Sequence, residues 1–170
     1  MQILVTGGAG FIGSSLCSRL LSNGFEVIGI DNFTKNYTVK YKKQNLTGLV
    51  GHPKFIFYKT DICINETIRS ILQKHRPQKI VHLAALPGVR ASLQNPHLYH
   101  KVNVLGTRNI YELAVQHNAK TFVFTSSSSV YGNSKQLPFK EDSPLKPLSP
   151  YAKTKQLAEE VGIPHNIKIG

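Results

Sequence analysis

Short apolar runs alternate with stretches whose apolar residues recur at helical spacing. Ile3-Leu4-Val5 predicts a first strand, broken at Thr6-Gly7-Gly8. From Phe11 to Asn23, the residues Ile12, Leu16 and Leu20 fall on one helix face, and Gly24 follows as the stop. Val27-Ile28-Gly29-Ile30 predicts a second strand ending at Asp31, and Phe55 to Tyr58 a third. Glu66 to His75 reads as a helix burying Ile68, Ile71 and Leu72. Ile80-Val81-His82-Leu83 and Phe122-Val123-Phe124 give a fourth and a fifth strand. Between them Asn95-Pro96 caps a long helix with Tyr99, Val102, Gly106, Ile110 and Leu113 on its apolar face. The proline-rich stretch 138–150 predicts loop, and Ser149-Pro150 opens a last helix to about Val161.

Strands alternating with helices predict an α/β fold, a doubly wound parallel sheet of Rossmann type. The 170 residues fit one domain with its own core, at roughly 100–200 residues per domain. Asn166 to Gly170 reads as the opening of a sixth strand, so the sheet is expected to be cut short before or within it.

Composition narrows the class. Apolar residues at 41% with 18% charged residues exclude a disordered tail. No apolar run approaches the ~20 residues of a membrane-crossing helix. Met1-Gln2 leads straight into strand and glycines, so no secretion signal is expected. Cys17 and Cys63 make neither a disulfide framework nor a metal-spaced pair, which predicts a reducing, cytoplasmic setting. His97 and His100 share a helix face without a third ligand, so no metal is expected. The 21 Lys+Arg against 9 Asp+Glu leave a net charge of +12, which attracts polyanions. Nucleic acid is disfavoured because no basic-aromatic recognition motif is present; a polyphosphate cofactor and substrate also suit the charge, and a solvated lysine-rich surface is its plainest reading.

The chemistry begins at Thr6-Gly7-Gly8-Ala9-Gly10-Phe11-Ile12-Gly13, between the first strand and the first helix. Gly7, Gly10 and Gly13 allow a tight turn, close approach to a pyrophosphate and close helix–strand packing. Free amides at the helix start would bind the phosphates. Asp31, at the end of the second strand, is placed to accept from both adenosine ribose hydroxyls and to repel a 2′-phosphate, favouring NAD over NADP. Further on, Tyr151 and Lys155 stand four residues apart on one helix face, where the ammonium can stabilise a phenolate base. Hydroxyls from Thr125 to Ser129 follow the fifth strand, at the end of the sheet where ligands bind.

In order along the chain, the Thr-Gly-Gly-Ala-Gly-Phe-Ile-Gly loop, Asp61-Ile62, His82-Leu83-Ala84-Ala85, Ser-Ser-Val-Tyr-Gly and Tyr-x-x-x-Lys resemble the extended short-chain dehydrogenase/reductase family. Within it they look most like the N-terminal half of the NAD-dependent nucleotide-sugar epimerases and dehydratases. That resemblance implies that Asp31 and Asn32 hold the adenosine ribose, and that Asp61 binds the adenine amino group beside Ile62. It implies that Leu83, Ala84 and Ala85 line the cofactor, that Asn103 helps seat it, and that Ser127, Tyr151 and Lys155 are catalytic. Where the 4,6-dehydratases carry an Asp-Glu pair this chain has Ser128-Ser129, which favours epimerisation. Pro87-Gly88-Val89-Arg90 most resembles the UDP-glucuronate 4-epimerases, although alanine is usual at position 87.

The implied reaction is a transient oxidation at sugar C4, with Tyr151 as base and Ser127 on the developing carbonyl. Arg90, Ser127 and Ser128 would face the UDP-sugar; for Arg90 a surface salt bridge competes. A dinucleotide-binding module without turnover, or an NDP-sugar dehydratase relative, is the alternative, and a homodimer is admitted as a further partner. Little conversion of UDP-glucuronate is expected from these residues by themselves.

Overall fold

The computed structural model describes residues 1–35, 38–135 and 137–162. Five parallel strands form one sheet in the order β3-β2-β1-β4-β5. They are β1 (Gln2–Thr6), β2 (Glu26–Asp31), β3 (Phe55–Lys59), β4 (Lys79–His82) and β5 (Thr121–Phe124). This is the expected Rossmann-type sheet. The strand anticipated at 166–170 lies outside the described residues.

Strand alternation explains the two-sided core. In β1, Leu4 points to one face while Ile3 and Val5 point to the other. The first face is covered by α3 (Asn65–His75), α6 (Thr107–Gln116) and α7 (Pro150–Gly162), and the residues packed there include Ile68, Ile110 and Ala158. The second lies under α1 (Phe11–Ser22) and α2 (Val39–Leu46), through Cys17, Leu21 and Leu46. Each large apolar side chain removed from water in this way contributes about 1.5–3 kcal/mol.

Three expectations are corrected. The buried face of α1 is Gly13, Ser14, Cys17 and Leu21, whereas Ile12 is 62% exposed and Phe11 73%. The helix opening at Asn95 is not uniform: α5 (Pro96–His100) passes through a π-helical stretch, Lys101–Gly106, into α6. The predicted face holds at Tyr99, Gly106, Ile110 and Leu113, all buried, and Val102 is half-buried against the core; the wider turn adds Asn103 and Val104 to the buried set. Two short helices also went unpredicted, α2 and α4 (Val89–Gln94). The Asn95 cap is as expected, its Oδ1 accepting the Leu98 N–H.

Strand order reverses between β1 and β4, whose Thr6 and His82 are register partners at the carboxyl ends. In such sheets the crevice beyond that switch point is where ligands bind.

Candidate active site

Beyond that switch point lies a cleft of about 370 Å³. Of the residues singled out by the sequence, Gly7, Gly10, Phe11, Ile12, Gly13, Asp31, Asn32, Ile62, Leu83, Ala84, Ala85, Tyr151 and Lys155 line it. Asp61, Arg90, Asn103, Ser127 and Ser128 stand outside its wall.

The glycine loop is dictated by close approach. Gly7 adopts φ +71°, and a Cβ there would press on the Ala84 backbone at 3.0 Å. A Cβ on Gly13 would collide with the Gly7 carbonyl oxygen. Helix α1 therefore starts hard against the end of β1. Its first helical bond runs from Ser14 N–H to Gly10 O at 2.9 Å, so the amides of Phe11, Ile12 and Gly13 open toward the cleft. No side chain caps this end and no acidic residue occupies its first turn, leaving its partial positive charge for an anion. Exposure of Phe11 and Ile12 follows, since both border the cleft mouth.

At the end of β2, Asp31 is buried at 5% exposure. Its Oδ1 accepts from Phe33 N–H at 2.8 Å and from Lys42 Nζ at 2.8 Å. Lys42, itself buried on α2, was not singled out by the sequence. Its signal was weak: with Leu46 it forms an i, i+4 pair in an otherwise polar stretch. Asn32 donates through Nδ2 to Asp61 Oδ2 at 2.8 Å, and Asp61 Oδ1 accepts the Cys63 N–H at 2.8 Å. Burial pushes Asp61 up, but the bonds from Cys63 and Asn32 and the field of Lys101 outweigh it and hold the carboxyl below its ordinary value. The two loops are thereby tied together, with Asp61 bracing Asn32.

At the other end α7 carries Tyr151 and Lys155 into the cleft. Lys155 is 4% exposed; its Nζ donates to Thr125 O at 2.7 Å and sits 4.8 Å above the Phe124 ring. Burial lowers its pKa to about 8, against a raising effect from Glu159. Ser126 Oγ donates to Glu159, joining the end of β5 to α7. Ser127 Oγ lies 2.9 Å from Ser129 Oγ and accepts the Ser129 N–H, which starts a 3-10 turn over Ser128–Tyr131. Ser128 and Arg90 are exposed, and Arg90 has no ion pair among the described residues.

Behind the cleft wall runs a chain of buried polar groups. Thr107 donates its hydroxyl to Asn103 O at 2.6 Å, so toward His82 Nε2, 3.0 Å away, it can only accept. His82 is thus the neutral Nε2–H tautomer, with Nδ1 accepting from Thr6 Oγ1 at 2.7 Å. Burial, helped by the Lys155 charge, lowers the His82 pKa to about 3. Thr6 Oγ1 also takes the Ala84 N–H at 3.1 Å. Asn103 accepts the Leu86 N–H at 2.7 Å and donates to both Leu86 O and Thr154 Oγ1 at 3.1 Å. It clamps the Leu86 wall of the cleft to α7.

A Rossmann sheet with this loop, acid and Tyr-x-x-x-Lys pair defines an α/β domain of the short-chain dehydrogenase/reductase type. Comparison with known proteins gives the family: the GDP-mannose 4,6 dehydratase model matches residues 4–166, and the chain belongs to that family. A UDP-glucuronate 4-epimerase of Thermodesulfobacterium geofontis is 42% identical over 157 residues, 92% of this chain and 48% of that protein. A bifunctional UDP-glucose and UDP-xylose 4-epimerase of Pisum sativum is 37% identical over 94% of this chain and 46% of its own length. The chain spans about half the length of these curated relatives. Among solved structures, the UDP-glucuronic acid 4-epimerase of Bacillus cereus, in complex with UDP-glucuronic acid and NAD, superposes with TM-score 0.91 at 37% identity. That match covers 99% of this chain and 55% of the other. In the described residues no group of three or more His, Cys, Asp or Glu could hold a metal ion, and no helix is long and apolar enough to cross a membrane.

Proposed function

We propose that this chain is the NAD-binding portion of a nucleotide-sugar 4-epimerase of the UDP-glucuronate or UDP-glucose type. One observation carries the proposal: an uncapped helix start, a buried carboxylate and a Tyr–Lys pair border a single cleft. A dinucleotide fits the residues present. A Cβ at Gly7 or Gly13 would strike backbone and push α1 off the end of β1, so the glycines keep the α1 amides where a pyrophosphate can reach them, and Asp31 stands where a ribose diol would donate to Oδ2. Lys42 is committed to Asp31 at 2.8 Å, so this end presents a balanced pair rather than a receptor for a 2′-phosphate. Asn32, backed by Asp61, flanks the ribose; Leu83, Ala84 and Ala85 form the apolar wall, fixed through Thr6, and Asn103 holds Leu86 beside them.

When bound, the nicotinamide supplies a hydride acceptor and donor. Tyr151 takes the proton of the sugar 4-hydroxyl and returns it to the epimer. Lys155, charged through the neutral range despite its burial, stabilises the phenolate. Ser127 donates to the developing carbonyl oxygen, and Arg90 and Ser128 lie on the substrate side.

The family's name points to a second reading, a 4,6-dehydratase. Against it, Ser128 and Ser129 stand where water elimination needs an acid and a base. Calorimetry with NAD and NADP, followed by long incubation of the NAD-loaded chain with UDP-glucuronate, tests both. NAD is expected to bind in preference to NADP, and slow formation of the C4 epimer is expected to cease in Tyr151→Phe. Heat with NADP alone overturns the cofactor assignment; a product lighter by one water makes the chain a dehydratase.

A further inference from the structure

We propose that Ser92 is a positioning residue for Tyr151, capping the start of α7 from the neighbouring helix α4. The proposal rests on the reading of Tyr151 as the base. A helix start leaves its first amides without internal partners, and buried ones need acceptors. In α7, Pro150 has no N–H to satisfy. The Ala152 N–H goes to Ser149 Oγ at 3.1 Å and the Lys153 N–H to Ser149 O at 2.9 Å. Only the amide of Tyr151 finds no acceptor on its own helix or cap. It donates to Ser92 Oγ at 3.0 Å.

Ser92 is an oriented acceptor rather than a chance neighbour. It is wholly buried, at 0% exposure, and its own proton is committed to Val89 O at 2.6 Å. A hydroxyl locked in that way turns its lone pairs to the Tyr151 amide. The ring is held from the same side. Tyr99 of α5 meets the Tyr151 ring edge-on, with centroids 6.4 Å apart, while its hydroxyl donates to Pro87 O at 2.6 Å. Helices α4 and α5 therefore fix backbone and ring of Tyr151 together, at the end of the cleft away from the glycine loop.

Ser92→Ala and Ser92→Thr, each in the full chain, test this by amide exchange and by titration with NAD and with ADP. In Ser92→Ala the Tyr151 amide should exchange on the order of tenfold faster, while amides of β1 and β4 keep their rates. NAD affinity should fall about threefold or more, while ADP, which reaches only the glycine-loop and Asp31 end, binds as in wild type. Ser92→Thr should restore both, because a helical threonine hydroxyl can bond the carbonyl three residues back, here Val89. Unchanged exchange at Tyr151 overturns the proposal. So does a parallel loss of NAD and ADP affinity, which marks general loosening. The exchange measurement needs no ligand; a wild-type chain that binds no NAD sinks the proposed function and leaves this question decided by exchange alone.

Discussion

Lys155, which borders the cleft, ties stability to pH. Its ammonium is buried against Thr125 O and the Phe124 ring, and its pKa drops from 10.5 to about 8. Below pH 8 both folded and unfolded chains carry the proton, so the whole cost of burying the charge is present, about 3 kcal/mol. Between pH 8 and 10.5 the folded chain has released its proton while the unfolded chain keeps it, so stability rises with pH. Urea unfolding of wild type and Lys155→Met across that range should show wild type gaining about 3 kcal/mol relative to the variant. A difference that stays flat contradicts a buried ammonium. The glycines, Asp31, Tyr151 and Lys155 were legible in the sequence because each motif is local and demands particular residue types. Ser92, Lys42 and Glu159 were not, because each acts on a partner from another element and carries no pattern of its own.

Among the elements, those with regular apolar spacing were readable and those held by polar contacts were not. Helix α3 buries Ile68, Ile71 and Leu72 as its periodicity predicts. Helix α2 is polar along most of its length and buries Lys42 beside Leu46, so no apolar face announces it. The π-helical stretch is hidden for another reason: one wider turn leaves the apolar spacing on either side intact, with Tyr99, Gly106, Ile110 and Leu113 all buried. Within that stretch Asn103 is buried and clamps Leu86, on the cleft wall, to Thr154. For α2 the Lys42–Asp31 pair is the tether to β2. Lys42→Met leaves a buried carboxylate unpaired and should cost about 3 kcal/mol in urea unfolding. It should also accelerate amide exchange in α2 ahead of α3. Unaltered stability would show that the pair merely accompanies the docking of α2.

For the whole molecule, the order of strands determines where chemistry can occur. Reversal at β1 and β4 opens the sheet at Thr6 and His82, and both the glycine loop and the Ala84-Ala85 wall start from those residues. Parallel order was legible from the alternation of strands and helices, and two-sided burial follows from it. The surplus of 12 positive charges sets a favourable field for any phosphate-bearing ligand but, being spread over the chain, gives it no particular seat. The most direct measurement is diffraction from crystals of this chain grown with excess NAD. The diphosphate should rest on the amides of Phe11 and Ile12, the adenosine ribose hydroxyls should reach Asp31, and the nicotinamide end should lie beside Tyr151 and Lys155. Well-ordered NAD bound elsewhere, or reversed in the cleft with its adenine at Tyr151, would contradict the account.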